Sequence, residues 1–239
     1  MPAYPQFIMF DGIDGSGKTT LVKFFCETIA KEKNLKVFNL PETCKSTGEL
    51  PLPWTPIKEV IFSAEPTQVW VGAAIRKELI SNDANYDRRT VAAAYAMDRL
   101  ILYRRFLIPM LERNAIIIQD RGLSTSMVYQ PIMKDGVRLE EIISYGGNNL
   151  AFDHAPGHLV IVKCSAKTGM SRIGGRSNKA DNAIFEKEEF LTKAAERFES
   201  AWFRQIWEEH GTKVHYLNAE QPLEAVKADT AALARDIFQ

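Results

Sequence analysis

The sequence predicts an α/β architecture in three layers, αβα: a five-stranded, mostly parallel sheet with helices on both faces and a helical lid. Three observations carry this expectation. Short apolar runs of strand length alternate with helix-periodic segments along all 239 residues, as a parallel sheet requires, because each crossover between its strands is a helix. One apolar run, Phe7-Ile8-Met9-Phe10, breaks into a glycine-rich loop and then into a helical pattern. The hydrophobic fraction of 46% is enough to bury a sheet on both sides.

Taken in order, the apolar runs place strands at 6–11, 58–64, 115–120, 158–164 and 213–217, with a weaker candidate at 35–40. Helical spacing places helices at 18–32, 68–81, 88–112, 120–130, 137–145, 166–173, 185–209 and 222–237. Residues 41–57 carry four prolines and read as an irregular insertion, too short for a domain. Trp54 within it either pins the loop down or forms a contact surface. No internal repeat divides the chain, so one domain over 1–239 is expected, with the insertion at 41–57 and the lid at 172–184.

Composition excludes several classes of function. Lys+Arg and Asp+Glu both number 30, so neither nucleic acid nor an anionic membrane is expected as the main partner. Cys26, Cys44 and Cys164 are widely spaced and lack a C-x-x-C pair, which argues against a disulfide framework or a zinc site. The N-terminus shows no basic n-region followed by a long apolar stretch, and no run approaches the ~18 residues of a membrane span. A cytoplasmic location is expected.

The glycine loop carries the chemistry. Gly12-Ile13-Asp14-Gly15-Ser16-Gly17-Lys18-Thr19 fits G-x-x-x-x-G-K-[ST], the phosphate-cradling P-loop, between the strand and the helix that the motif needs. This places the expected fold among the P-loop NTPases. Glycines let the backbone turn its N–H groups inward, Lys18 reaches the β/γ-phosphates, and the Thr19 hydroxyl can ligate Mg²⁺. The helix beginning Lys18-Thr19-Thr20 adds its positive end.

Other candidates fall at strand ends or on neighbouring helices. Glu65-Pro66-Thr67 ends the strand before it, a common terminus that also sits near the P-loop. Tyr95 and Arg99 lie four apart on one helical face; either they form a packing face, or the ring stacks on a base while the guanidinium holds phosphate. Asp120-Arg121 follows a triple-isoleucine strand, where a P-loop enzyme places a magnesium-linked carboxylate and a phosphate-binding arginine. Ser124, Ser126, Tyr129 and Gln130 come next with hydroxyl and amide groups. Arg172 to Lys179 is a basic, glycine-containing loop, either simply exposed or suited to cover a transferring phosphoryl group. Asn178-Lys179-Ala180-Asp181 spells the N-K-x-D of guanine-binding switch proteins but lacks the apolar strand before it, so coincidence is the better reading.

In this order, and across nearly the whole chain, these segments resemble the thymidylate kinase family. Phe10 to Thr20 is similar to its P-loop, Glu65-Pro66-Thr67 to its R-E-P-G segment, Ala96-Met97-Asp98-Arg99 to its A-x-D-R helix, and Asp120-Arg121 through Tyr129-Gln130 to its D-R-Y…S…A-Y-Q stretch. The resemblance implies a nucleoside monophosphate kinase that passes the γ-phosphoryl of ATP to dTMP with Mg²⁺. It implies that Gly12, Ile13, Asp14, Gly15, Ser16, Gly17, Lys18, Thr19 and Thr20 hold ATP, and that Thr19 and Asp120 meet magnesium. Asp14 would contact the acceptor's 3′-hydroxyl and Tyr95 would stack on its base. Arg99 and Arg121 would grip its phosphate and base region, with Glu65, Ser126, Tyr129 and Gln130 on the same acceptor side. Gly15 stands after Asp14, where some members carry an arginine, so Arg172 and Arg176 would supply the transition-state charge. A homodimer through the long helix near 88–112 is also implied.

The chain departs from the family pattern at Ala64 and Thr67, which flank Glu65-Pro66 in place of Arg and Gly, and at Gly122 in place of an aromatic residue. A wider base pocket is the expectation from Gly122. Other acceptors therefore stay open: another pyrimidine nucleotide such as dUMP or a modified deoxyuridylate, or a deoxynucleoside. A regulatory ATP-binding module without turnover is the alternative from another class.

Overall fold

The computed structural model describes residues 3–54, 58–81, 85–174 and 188–238. In chain order the elements are β1 (Tyr4–Asp11), α1 (Lys18–Glu32), β2 (Lys36–Asn39), α2 (Leu40–Thr47), β3 (Glu59–Ala64), α3 (Trp70–Ala74), α4 (Arg88–Leu102), α5 (Ile108–Leu111), β4 (Ile116–Asp120), α6 (Leu123–Tyr129), α7 (Leu139–Ser144), α8 (Gly146–Asp153), β5 (Pro156–Lys163), α9 (Ala166–Gly174), α10 (Glu188–Phe198), α11 (Ala201–Glu209), β6 (Lys213–Asn218) and α12 (Leu223–Phe238). The sheet runs β2-β3-β4-β1-β5-β6, and every pairing is parallel. It has six strands where five were expected, because Lys36–Asn39 pairs with β3 as an edge strand.

β1 lies at the centre, and Phe7, Ile8, Met9 and Phe10 are all fully buried, as a strand covered on both faces must be. Register sets the active edge of the sheet. Phe10 pairs with Asp120 and Ala64 pairs with Asp120, so the carboxyl ends of β1, β3 and β4 finish in one row. Arg121 N donates to Phe10 O at 2.8 Å and Glu65 N to Asp120 O at 3.1 Å, which carries the ladder just past each strand end. Ligands of open parallel sheets bind beyond these ends.

Four expectations are corrected. The first half of 41–57 is helical: Asn39 caps α2 by accepting from Glu42 N at 3.1 Å, Pro41 occupies its first turn, and Gly48 ends it at φ 77°. Trp54, farther on, packs edge-on against Phe38 at 4.6 Å and lies 5.7 Å from Phe106, so it pins the loop. The helix expected over 185–209 is two, α10 and α11, because the Ser200 hydroxyl caps Phe203 N. α8 was not anticipated; it starts at a Gly-Gly pair that reads as a turn. The helix expected over 120–130 begins at Leu123, after an extended turn at Gly122. The helices α3 and α4 run on into π turns at Ile75–Leu79 and Tyr103–Leu107, the second just upstream of Pro109, whose ring has no N–H to donate.

Candidate active site

The glycine loop closes the end of β1. Gly15 has φ 78°, and a Cβ on it would lie 2.1 Å from Gly169 O, so only glycine lets α9 press against the loop. Gly17 has φ 89° and nothing within 4 Å of a Cβ position; it faces open space at the N-terminus of α1, where backbone donors and the helix dipole favour an anion. Ser16 Oγ is buried there without a partner. Lys18 is buried, donates through Nζ to Ile13 O at 3.0 Å and lies 3.8 Å from Asp14 Oδ1. Burial and the nearby Arg121 lower its pKa, against Asp14, Asp120 and Asp11. Ile13 gives its carbonyl to this bond while its side chain joins the core, and Thr20 is exposed in the first turn of α1.

Thr19 Oγ1 donates to Asp120 Oδ2 at 2.5 Å, and Asp120 Oδ1 is buried with no partner among the described residues. A hydroxyl next to an uncommitted carboxylate oxygen is a hard-oxygen donor pair, the set that Mg²⁺ prefers. These residues fit magnesium.

Arg121 follows β4 directly, at φ 66°. Its Nη2 lies 2.5 Å from Asp14 Oδ1, its Nη1 3.3 Å from Thr125 Oγ1, and its guanidinium 5.7 Å from the Tyr129 ring centre. Burial opposes its charge, but Asp14, Asp11 and Asp120 hold its pKa raised. The Tyr129 hydroxyl accepts from Asp14 N at 3.1 Å, tying α6 to the P-loop. Behind them Asp11 is fully buried; it accepts from Gly12 N at 2.8 Å, Ser124 Oγ at 2.5 Å and Thr125 Oγ1 at 2.7 Å. Burial raises its pKa, and Arg121, Lys18 and the two hydroxyls oppose that rise.

Below Arg121 lies a buried polar floor. Glu65 Oε2 meets Arg99 Nη2 at 2.6 Å, with both side chains buried. Gln119 Nε2 donates to Glu65 Oε1 at 3.0 Å, Arg99 Nη2 to Ser126 Oγ at 3.3 Å, and Arg99 Nη1 to Asn148 Oδ1. Gln130 Oε1 is buried without a partner. Burial pushes the Glu65 carboxyl up to about 7 against the pull of Arg99. Tyr95, raised by burial, feels Arg121, Arg76, Asp14 and Arg99. Tyr95 and Lys18 are both within electrostatic reach of Arg121 and Asp14.

Arg172 Nη2 donates to Ala219 O at 2.8 Å and its Nη1 lies 3.5 Å from Ser16 O, so α9 brings this cation to the P-loop. Arg176, most of 172–184 and the N-K-x-D tetrapeptide lie outside the described residues.

Sequence reasoning gave no role of their own to five residues that the structure brings to the site. Asp11 had a signal, a charge ending an apolar strand. Thr67, whose N–H and hydroxyl both donate to Asp98 at 2.7 Å, had one in its Thr/Asp pairing with the A-x-D-R helix. Arg76 had none: the π turn after α3 aims its guanidinium at Pro66 O and Thr67 O, within electrostatic reach of Tyr95, Asp98, Arg121 and Asp120. Gln119 and Asn148 are buried amides in otherwise apolar or glycine-rich segments.

Comparison with known proteins identifies the family. The sequence pattern described as "Thymidylate kinase" matches residues 53–230, a span that starts after the glycine loop. A thymidylate kinase from Caldicellulosiruptor saccharolyticus is 31% identical over 185 residues, covering 76% of each chain. A probable thymidylate kinase from Methanococcus aeolicus is 28% identical over 193 residues, covering 81% of this chain and 77% of the relative. With more than half of its length matched and an independent P-loop in place before the matched span, the chain belongs to the thymidylate kinase family.

Proposed function

We propose that this enzyme phosphorylates dTMP to dTDP with ATP, working as one kinase domain whose two nucleotides meet over the carboxyl ends of β1, β3 and β4. One observation supports this above others: Lys18, the Thr19–Asp120 pair, Arg121 and Tyr95 converge at that single edge.

An oxygen of the dTMP phosphate attacks the γ-phosphorus, the bond to the β–γ bridging oxygen breaks, and its electron pair leaves with ADP. No covalent intermediate on the protein is needed, so the work is alignment and charge stabilisation. The amides of Gly12 to Thr19 and the Lys18 ammonium hold the ATP phosphates, with Thr20 at the mouth of the helix. Thr19 and Asp120 would hold magnesium, which would supply charge neutralisation to the ATP phosphates. Arg121 leaves Asp14 to take the acceptor phosphate, which frees the Asp14 carboxylate for the sugar hydroxyl. Tyr95 covers the base, while Arg99, Ser126 and Gln130 line the floor beneath it and Tyr129 the sugar side. Arg76 adds a second cation near the acceptor phosphate, on the side where Ala64 leaves none. Arg172, with Arg176, stabilises the transferring group.

We also infer a cytoplasmic homodimer. Cys26, Cys44 and Cys164 are free and buried, and no described helix is long and apolar enough to cross a membrane. Met97 on α4 and Trp70 on α3 are exposed and offer an isologous contact; light scattering at twice the chain mass is expected.

The direct test is ³¹P NMR of a mixture with MgATP and dTMP. Equimolar ADP and dTDP support the proposal; ATP binding without either product favours a regulatory module.

A further inference from the structure

Asn148 is fully buried on α8, a helix that supplies no other group to the site. Its Nδ2 donates to Ile142 O at 2.7 Å, and its Oδ1 accepts from Arg99 Nη1. The carbonyl of Ile142 can only accept, so it dictates which end of the amide faces α7 and leaves the oxygen for the guanidinium.

Backbone approach makes this contact possible. A Cβ on Gly147 would lie 1.8 Å from Ala96 O and 3.0 Å from Leu100 N, so any side chain there would push α8 away from α4 and lift Asn148 off Arg99. Ala92, Val137 and Ile142 form a small separate apolar cluster that closes the same junction.

Arg99 carries five N–H donors in a rigid planar fork. Nη2 is committed to Glu65 and Ser126, Nη1 to Asn148, and Nε is buried without a partner. Glu65 and Ser126 both hold the Nη2 end, which leaves the plane free to swing about it. Asn148 anchors the opposite corner.

We propose that Asn148 is a positioning residue for the acceptor nucleotide: it fixes the plane of the Arg99 guanidinium, so that the remaining donors meet the base in one orientation. The inference rests on the placement of Arg99 in the acceptor pocket made above.

Steady-state kinetics of the full chain test it, with two substitutions of similar volume. Asn148→Leu removes the oxygen facing Arg99, whereas Asn148→Asp keeps an oxygen there and gives up the donor to Ile142. Asn148→Leu is expected to raise the KM for dTMP about 10–100-fold, the loss of one hydrogen bond to a charged group, with kcat and the KM for ATP within about twofold. Asn148→Asp is expected to restore the dTMP KM to within about threefold of the parent. Should the leucine variant not fold, Asn148→Ala takes its place. A folded Leu or Ala variant with unchanged dTMP KM overturns the proposal. So does an Asp variant as impaired as Leu, which would assign the role of Asn148 to its bond with Ile142. Arg99→Met separates the two levels: an unchanged dTMP KM there refutes the placement of Arg99, whereas a raised one beside a normal Asn148→Leu refutes only the positioning role.

Discussion

Arg121 and Asp14 close on each other at 2.5 Å, joining the end of β4 to the P-loop. In the proposed mechanism the pair opens, and each partner is offered to a different part of the acceptor. Arg121→Lys keeps the charge but loses the planar fork that matches a phosphate. A fall in kcat/KM for dTMP of about 10²–10³ is expected, with ATP affinity, followed by nucleotide fluorescence, unchanged.

Lys18→Ala should abolish transfer, by at least about 10²–10³ in kcat, without unfolding the chain. Among the described residues Lys18 Nζ meets its own loop, Ile13 O at 3.0 Å and Asp14 Oδ1 at 3.8 Å, so the fold does not depend on it. Circular dichroism beside the ADP-release assay checks both halves.

Asp120→Asn should raise the magnesium concentration for half-maximal rate by about 10–100-fold, because a neutral amide replaces the charged carboxylate beside Thr19 Oγ1. Chelation of magnesium should silence the parent enzyme, and a magnesium titration of both forms measures the difference.

Glu65 gives a pH signature. Its folded carboxyl sits at about 7, above the value of about 4.3 for an exposed glutamate. Between those two values the folded state keeps a proton that the unfolded chain has lost, so this group's contribution to stability falls as pH rises through the window. Glu65→Gln removes the term. The slope of Tm against pH from 4.5 to 7 should be more positive in the variant than in the parent, whatever the absolute loss from breaking the pair with Arg99.

Gly122 behaves differently from its sequence expectation. A Cβ there would meet Met9 Cε at 2.6 Å and Sδ at 2.7 Å, so the missing side chain points into the sheet, toward the flexible end of a core methionine. Gly122→Ala should cost about 1–3 kcal/mol of stability and leave the ranking of acceptor bases unchanged, measured by urea unfolding and by rates on dTMP and dUMP.

What could be read in the sequence is what local chemistry dictates. β1, the glycine loop and α1 follow from one apolar run, one motif and one helical face, and Asp120-Arg121 follows from a buried triple isoleucine. The errors lie where tertiary contact overrides local pattern. The prolines after Leu50 concealed the helix start and stop at Asn39, Pro41 and Gly48. The Gly146-Gly147 pair looked like a turn, although its second member serves close packing on Ala96. Arg76 reaches the site only through a π turn, and a π turn leaves no mark on periodicity. Arg99, expected to grip the acceptor phosphate and base region, also ties together a floor of Glu65, Ser126 and Asn148 that the sequence did not foretell, because these partners come from three distant elements.

The most direct measurement is kcat/KM for ADP formation over a panel of dTMP, dUMP, dCMP, dAMP, dGMP and thymidine at saturating MgATP. A maximum at dTMP, at least about tenfold above every other acceptor, is the expected result. A flat panel, or a maximum at thymidine, would contradict it.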